Sequence, residues 1–268
     1  MNTSNILQVQ LNDISINYYD NLNYDKQTLF FIHGLGQNLN SWVNQIKYFH
    51  QDFRIIVLDL RGHGSTSRGD NKITIEQCCI DILTLLKYLK IKEAHFIGLS
   101  LGGLICQYLT VIEQSKILSL SLCNTFSFLP FQSSFPIDTR INMIRNMDIN
   151  KLSDYYTRSC FYNYNTENYN FVNNMFKNND KNVYLETAFS TFLFDSKDFL
   201  SEIDVPTLII AGDKDMVTPI WCSQYLNQNI KNSQLVIIPN AGHLSMLEQP
   251  EIFNNVLNKF LQEFIISN

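Results

Sequence analysis

The sequence predicts an α/β fold in which a mostly parallel central sheet is flanked by helices and interrupted by one helical insertion. Three observations carry this. Short apolar runs rich in β-branched and aromatic residues recur along the chain, segments of helical period lie between them, and one long stretch breaks the alternation. The length of 268 residues exceeds what one minimal core needs and falls short of two full domains, so a single large domain with an insertion is expected.

The first two strand-like runs, Gln8 to Leu11 and Ile14 to Tyr18, are separated only by Asn12 and Asp13, which predicts a hairpin at one edge of the sheet. Six more follow: Thr28 to Ile32, Phe53 to Leu58, Ala94 to Leu99, Ile117 to Leu122, Thr207 to Ala211 and Gln234 to Ile238. From Thr28 onward most are continuously apolar rather than alternating, as parallel strands are when helices cover both faces. Ile73 to Leu89 places Ile75, Cys79, Ile82, Leu86 and Leu89 at helical spacing, and Leu101 to Ile112 repeats the pattern. Thr218 and Pro219 read as the N-cap and first position of a further helix.

Between Thr125 and Leu200 no strand-like run occurs. Aromatics stand there in irregular order, among them Phe126, Phe128, Phe131, Phe135, Tyr155 and Tyr156. The stretch is too long for a bare loop, which predicts a helical lid over 125–200 inserted into a core formed by 1–124 and 201–268.

Composition narrows the function classes. Apolar residues at 45% and charged residues at 17% describe a globular chain, and the net charge of −5 provides no field that would gather nucleic acid or an anionic membrane. The first twenty residues lack a basic region followed by an apolar one, and the uncharged stretch His95 to Ile112 is too short and polar to span a bilayer. A cytoplasmic protein without membrane or nucleic-acid partners is expected. The six cysteines form no CxxC pair, and the five histidines form no HxH or HxxxH pair. Reduced core thiols, no metal and no cofactor are the corresponding expectations.

Chemistry concentrates where runs end. Gly98, Ser100 and Gly102 fit G-x-S-x-G, between a strand and a helix. A chain that turns directly from strand to helix strains the central residue and leaves its neighbours two positions away no room for a Cβ. Ser100 would stand at the C-terminal edge of the sheet over the positive end of the next helix. A serine needs a base, and His243, in the loop after the last strand, is the best placed of the histidines. The imidazole needs a carboxylate to orient it, and the loop after Ala211 offers Asp213 and Asp215.

The order Ser100, aspartate, His243 and five motifs together resemble the α/β-hydrolase fold superfamily over almost the full length. His33-Gly34-Leu35-Gly36 is similar to its oxyanion loop and Asp59-Leu60-Arg61-Gly62-His63-Gly64-Ser65 to its DxRGxGxS turn. Gly98 to Gly103 is similar to its nucleophile elbow, Gly212-x-x-Asp215 to its acid motif and Gly242-His243 to its base motif. Residues 53 to 125 most resemble the 3-oxoadipate enol-lactonase and carboxylesterase branch. The resemblance selects Asp215 over Asp213. It also implies that the backbone N–H groups of Leu35 and Leu101 form an oxyanion hole, that His33 shapes a turn, and that Asp59, Arg61 and His63 hold their loop.

A small ester or lactone substrate, cleaved through an acyl-enzyme without a cofactor, is therefore expected. Arg140, Arg145 and Arg158 are the lid's only arginines. They are candidates to bind a substrate carboxylate, or to dock an acyl carrier protein as in the pimeloyl-carrier-protein methyl ester carboxylesterases. A ligand receptor that keeps the triad is the alternative of another class, and perhydrolysis or C–C hydrolysis would use the same residues.

Overall fold

The computed structural model describes residues 5–129 and 136–264. Eight strands form one sheet: β1 (Ile6–Leu11), β2 (Ile14–Asp20), β3 (Thr28–Ile32), β4 (Arg54–Leu58), β5 (Ala94–Leu99), β6 (Ile117–Cys123), β7 (Thr207–Gly212) and β8 (Ser233–Ile238). Their spatial order is β1-β2-β4-β3-β5-β6-β7-β8. β1 pairs antiparallel with β2 through Leu11 and Ile14, β2 runs antiparallel to β4, and the remaining pairs are parallel.

Continuous apolar runs are explained by the two cores they feed. Phe30, Ile32, Ile56, Leu58 and Phe96 join the cluster on one face of the sheet, while Leu29, Phe31, Ile55, Val57 and Ile97 join that on the other. Each such side chain, fully buried, stabilises the fold by about 1.5–3 kcal/mol before the entropy cost. The first face is covered by α2 (Ile75–Tyr88), α3 (Leu101–Glu113) and α8 (Ile220–Asn229), the second by α1 (Val43–Phe49) and α10 (Pro250–Gln262). α2 begins two residues later than its apolar period because the Thr74 side chain caps it, accepting the Gln77 N–H at 3.0 Å.

Between β6 and β7 the chain forms α4 (Ile137–Asn146), α5 (Ile149–Cys160), α6 (Thr166–Lys177) and α7 (Lys181–Phe192). Ile144, Leu152, Val172 and Tyr184 among their buried residues continue the second cluster, while Val183 joins the first. α6 and α7 lie over the loop after β3: a Cβ built on Gly36 would meet the Phe176 and Tyr184 rings, and the Asn179 side chain donates to Gly36 O at 2.8 Å. Phe126 is buried, whereas Phe131 and Phe135 fall outside the described residues. All six cysteines are buried with free thiols. Among the described residues, no helix is long and apolar enough to cross a membrane.

Candidate active site

Ser100 is the whole connection between β5 and α3, and its φ of 51° lies in the left-handed region that strains a residue with a side chain. Two close approaches enforce the bend. A Cβ on Gly98 would stand 2.3 Å from Gly102 O, and one on Gly102 would stand 2.3 Å from Ile32 O. Hydrogen bonds hold the bend on both sides: Ser100 N–H donates to Cys123 O at 2.9 Å, and the Thr125 hydroxyl donates to Ser100 O at 2.7 Å.

His243 follows β8, with its ring Nδ1 2.9 Å from Asp215 Oδ2. Asp215 is buried yet well supplied with donors. Its Oδ1 accepts from Val217 N and Thr218 N at 2.8 and 2.9 Å, and its Oδ2 from the Thr218 hydroxyl and Asn124 Nδ2 at 2.7 and 2.9 Å. Burial alone would raise this carboxyl. The charge and hydrogen bond of His243, with those of Thr218 and Asn124, hold it below the usual carboxylate value. An ionised Asp215 keeps the proton on Nδ1 and leaves Nε2 as the ring's acceptor.

Asp213, the other aspartate of that loop, accepts from Ala241 N at 3.2 Å and pairs with Lys214. It holds the loop and has no bond to the imidazole. Thr218 differs from its expected place as an N-cap: α8 starts at Ile220 after Pro219, and the Thr218 hydroxyl is engaged by Asp215.

Ser100 and His243 line one cavity together with Gly34 and Leu35, in about 590 Å³ of atom-free space partly open to solvent. No hydrogen bond joins Ser100 Oγ to His243 in this structure. Most other walls are apolar, from Phe126, Phe176, Tyr184, Phe192 and Val217. Of the three arginines, only Arg140 reaches this cavity, its guanidinium 5.6 Å from the centre of the Phe192 ring. Arg145 is exposed over Phe189, and the exposed Arg158 pairs with Asp154, four residues earlier on the same helix. Among the described residues, no group of three or more His, Cys, Asp or Glu side chains is placed to hold a metal ion.

The sequence profile described as alpha/beta hydrolase fold matches residues 27–250. The chain belongs to that family. A 3-oxoadipate enol-lactonase from Acinetobacter baylyi is 28% identical over 94% of this chain and 95% of its own. The crystal structure of the enol-lactonase from Burkholderia xenovorans superposes with a TM-score of 0.87 at 25% identity, covering 96% of this chain and all of the other. A pimeloyl-[acyl-carrier protein] methyl ester esterase from Wigglesworthia glossinidia is 26% identical over 88% of this chain and 94% of its own.

In this hydrolase the turn after β4 is a scaffold. Asp59 accepts from Leu39 N at 2.7 Å and from Ser65 N and Asn17 Nδ2 at 2.8 Å. Arg61, fully buried, binds Asp81 of α2 through two bonds of 2.6 and 2.7 Å. His33 spans the next turn: its Nδ1 lies 2.8 Å from Gly34 O, and its Nε2 accepts Leu60 N–H at 3.0 Å. Burial pushes His33 down to about 4, so the neutral ring makes both bonds.

Sequence reasoning missed three residues. Asn124 and Thr218 each support Asp215, and Glu248 accepts from Gly242 N at 2.6 Å and from Tyr162 N and Asn163 N at 3.1 and 2.9 Å. A polar residue directly after an apolar strand was the available signal for Asn124. Nothing nearby marks Glu248 as a clamp, because two of its three partners, Tyr162 and Asn163, lie more than eighty residues away.

Proposed function

We propose that this hydrolase cleaves a carboxylic ester or lactone through an acyl-enzyme on Ser100. The observation that carries the reading is the 2.9 Å bond from His243 to buried Asp215, on the same cavity as the strained Ser100. His243 Nε2 takes the Ser100 proton as Oγ attacks the carbonyl carbon, then returns it to the leaving alkoxide as the C–O bond breaks. Water repeats the sequence on the acyl-serine. The missing Ser100–His243 bond is compatible with this, since such contacts commonly tighten only once substrate binds.

The oxyanion that develops is assigned to the N–H groups of Leu35 and Leu101. Among the described residues, neither donates to a backbone acceptor, which supports the assignment. A fixed donor of this kind is worth about 3–4 kcal/mol in the transition state. The four helices α4–α7 are read as the lid, since Phe176, Tyr184 and Phe192 wall the cavity and the first two press on Gly36.

Similarity to the two enol-lactonases favours a small substrate, with Arg140 as the residue to meet its carboxylate. A carrier-protein ester is the second reading, favoured by the esterase relative and by the outward-facing Arg145 and Arg158. Ser100→Ala is expected to fold and to lose p-nitrophenyl ester hydrolysis; wild-type turnover in that variant overturns the proposal, and negligible turnover by the wild type favours a receptor. Rates on 3-oxoadipate enol-lactone and on a carrier-bound pimeloyl methyl ester separate the two substrate readings.

A further inference from the structure

Tyr156, on α5, lines the cavity that holds Ser100 and His243. Its ring stacks on Phe176, with centroids 6.3 Å apart and planes 8° from parallel, and lies 6.0 Å from the Tyr184 ring. Packing thus fixes where the hydroxyl sits. That hydroxyl is buried and meets no hydrogen-bond partner among the described residues. Phenylalanine would fill the same space without the cost of stripping water from a polar group, so packing accounts for the ring and leaves the oxygen unexplained. Burial pushes the phenol up to about 12, which keeps it protonated and a donor at neutral pH. Arg140 lines the same cavity and interacts electrostatically with Tyr156. Two donors in a largely apolar chamber suit a ligand that is apolar apart from an accepting oxygen.

We infer that the Tyr156 hydroxyl is a substrate-binding donor, selecting acyl groups that carry an acceptor oxygen, ketone or carboxylate, apart from the scissile carbonyl. The inference rests on the hydrolase reading for its meaning, but binding tests it without turnover.

The experiment compares ethyl pentanoate with its 3-oxo and 4-oxo analogues on the wild type and on Tyr156→Phe. The expected result is that the ratio of kcat/KM for at least one oxo ester over the plain ester falls about tenfold, as loss of one hydrogen bond predicts. The melting temperature should stay at or above that of the wild type, because no hydrogen bond among the described residues is lost. An unchanged ratio for both oxo esters overturns the inference. So does a lowered melting temperature with all three esters weakened alike, which marks a purely structural tyrosine. A parallel calorimetric titration of the same esters is made on Ser100→Ala, with and without Tyr156→Phe. A tenfold weakening confined to an oxo ester supports the inference, and equal dissociation constants overturn it. Should the wild type hydrolyse none of the esters, the reading of Ser100 fails while this titration still decides the role of Tyr156.

Discussion

Buried histidines away from the cavity illustrate how a residue's surroundings decide its part. His33 and His63 lie side by side, their ring centroids 5.3 Å apart and their planes tilted by 50°. Burial pushes His33 down to about 4; burial, then the neighbouring His33, pushes His63 down to about 3. Both rings are neutral at pH 7, and neither belongs to the group facing the proposed substrate. Because their folded values lie below the ordinary 6.5, the unfolded chain binds more protons between those limits. The stability they preserve is therefore complete above about 6.5 and is lost as the pH falls through 4 and then 3, with the larger loss from His63. Asp215, held low by His243, adds to the acid loss, while Asp59, raised by burial, tempers it. Imidazole resonances followed by NMR are expected to show both rings neutral until the pH approaches 4. Titration of either near 6.5 would contradict their burial as neutral groups.

Connections between elements place the site as firmly as the strands do. The loop bearing His243 is tied to the end of α5, where Cys160 O accepts His243 N at 2.8 Å and Leu244 N at 3.3 Å. Glu248, in α9 (Ser245–Glu248), clamps Gly242 to the backbone of Tyr162 and Asn163. The helices over the cavity and the imidazole thus share one hydrogen-bonded junction. On the other side, Arg61 and Asp81 tie the turn after β4 to α2 without access to water. Breaking such a pair strands a buried charge, whereas removing both partners does not. Arg61→Met is expected to lower stability in urea by about 3–5 kcal/mol. Arg61→Met combined with Asp81→Leu should recover much of that loss. A single variant as stable as the wild type would show that the pair does not hold the turn.

At the scale of the molecule, the sheet was legible because parallel strands feed two cores and so read as unbroken apolar runs. All eight runs became strands, with ends displaced for local reasons. Phe53 closes a turn onto Phe49 O at 3.1 Å, so β4 starts at Arg54. The strained bend at Ser100 was legible through its glycine spacing, and the pairing of His243 with Asp215 rather than Asp213 through the motifs shared with the family. Asn124, Thr218, Glu248 and Tyr156 were not, since their significance lies in contacts between distant segments. The arginines show the same limit: composition marked three, and only the fold separates Arg140, at the cavity, from Arg145 and Arg158 on the outer surface. The central claim is that the bend at Ser100 and the His243–Asp215 pair make one hydroxyl nucleophilic. Intact-protein and peptide mass spectrometry after treatment with a fluorophosphonate tests it directly. The account predicts one adduct per chain on Ser100, absent in Ser100→Ala and strongly slowed in His243→Ala; no adduct, or the same labelling rate without His243, would contradict it.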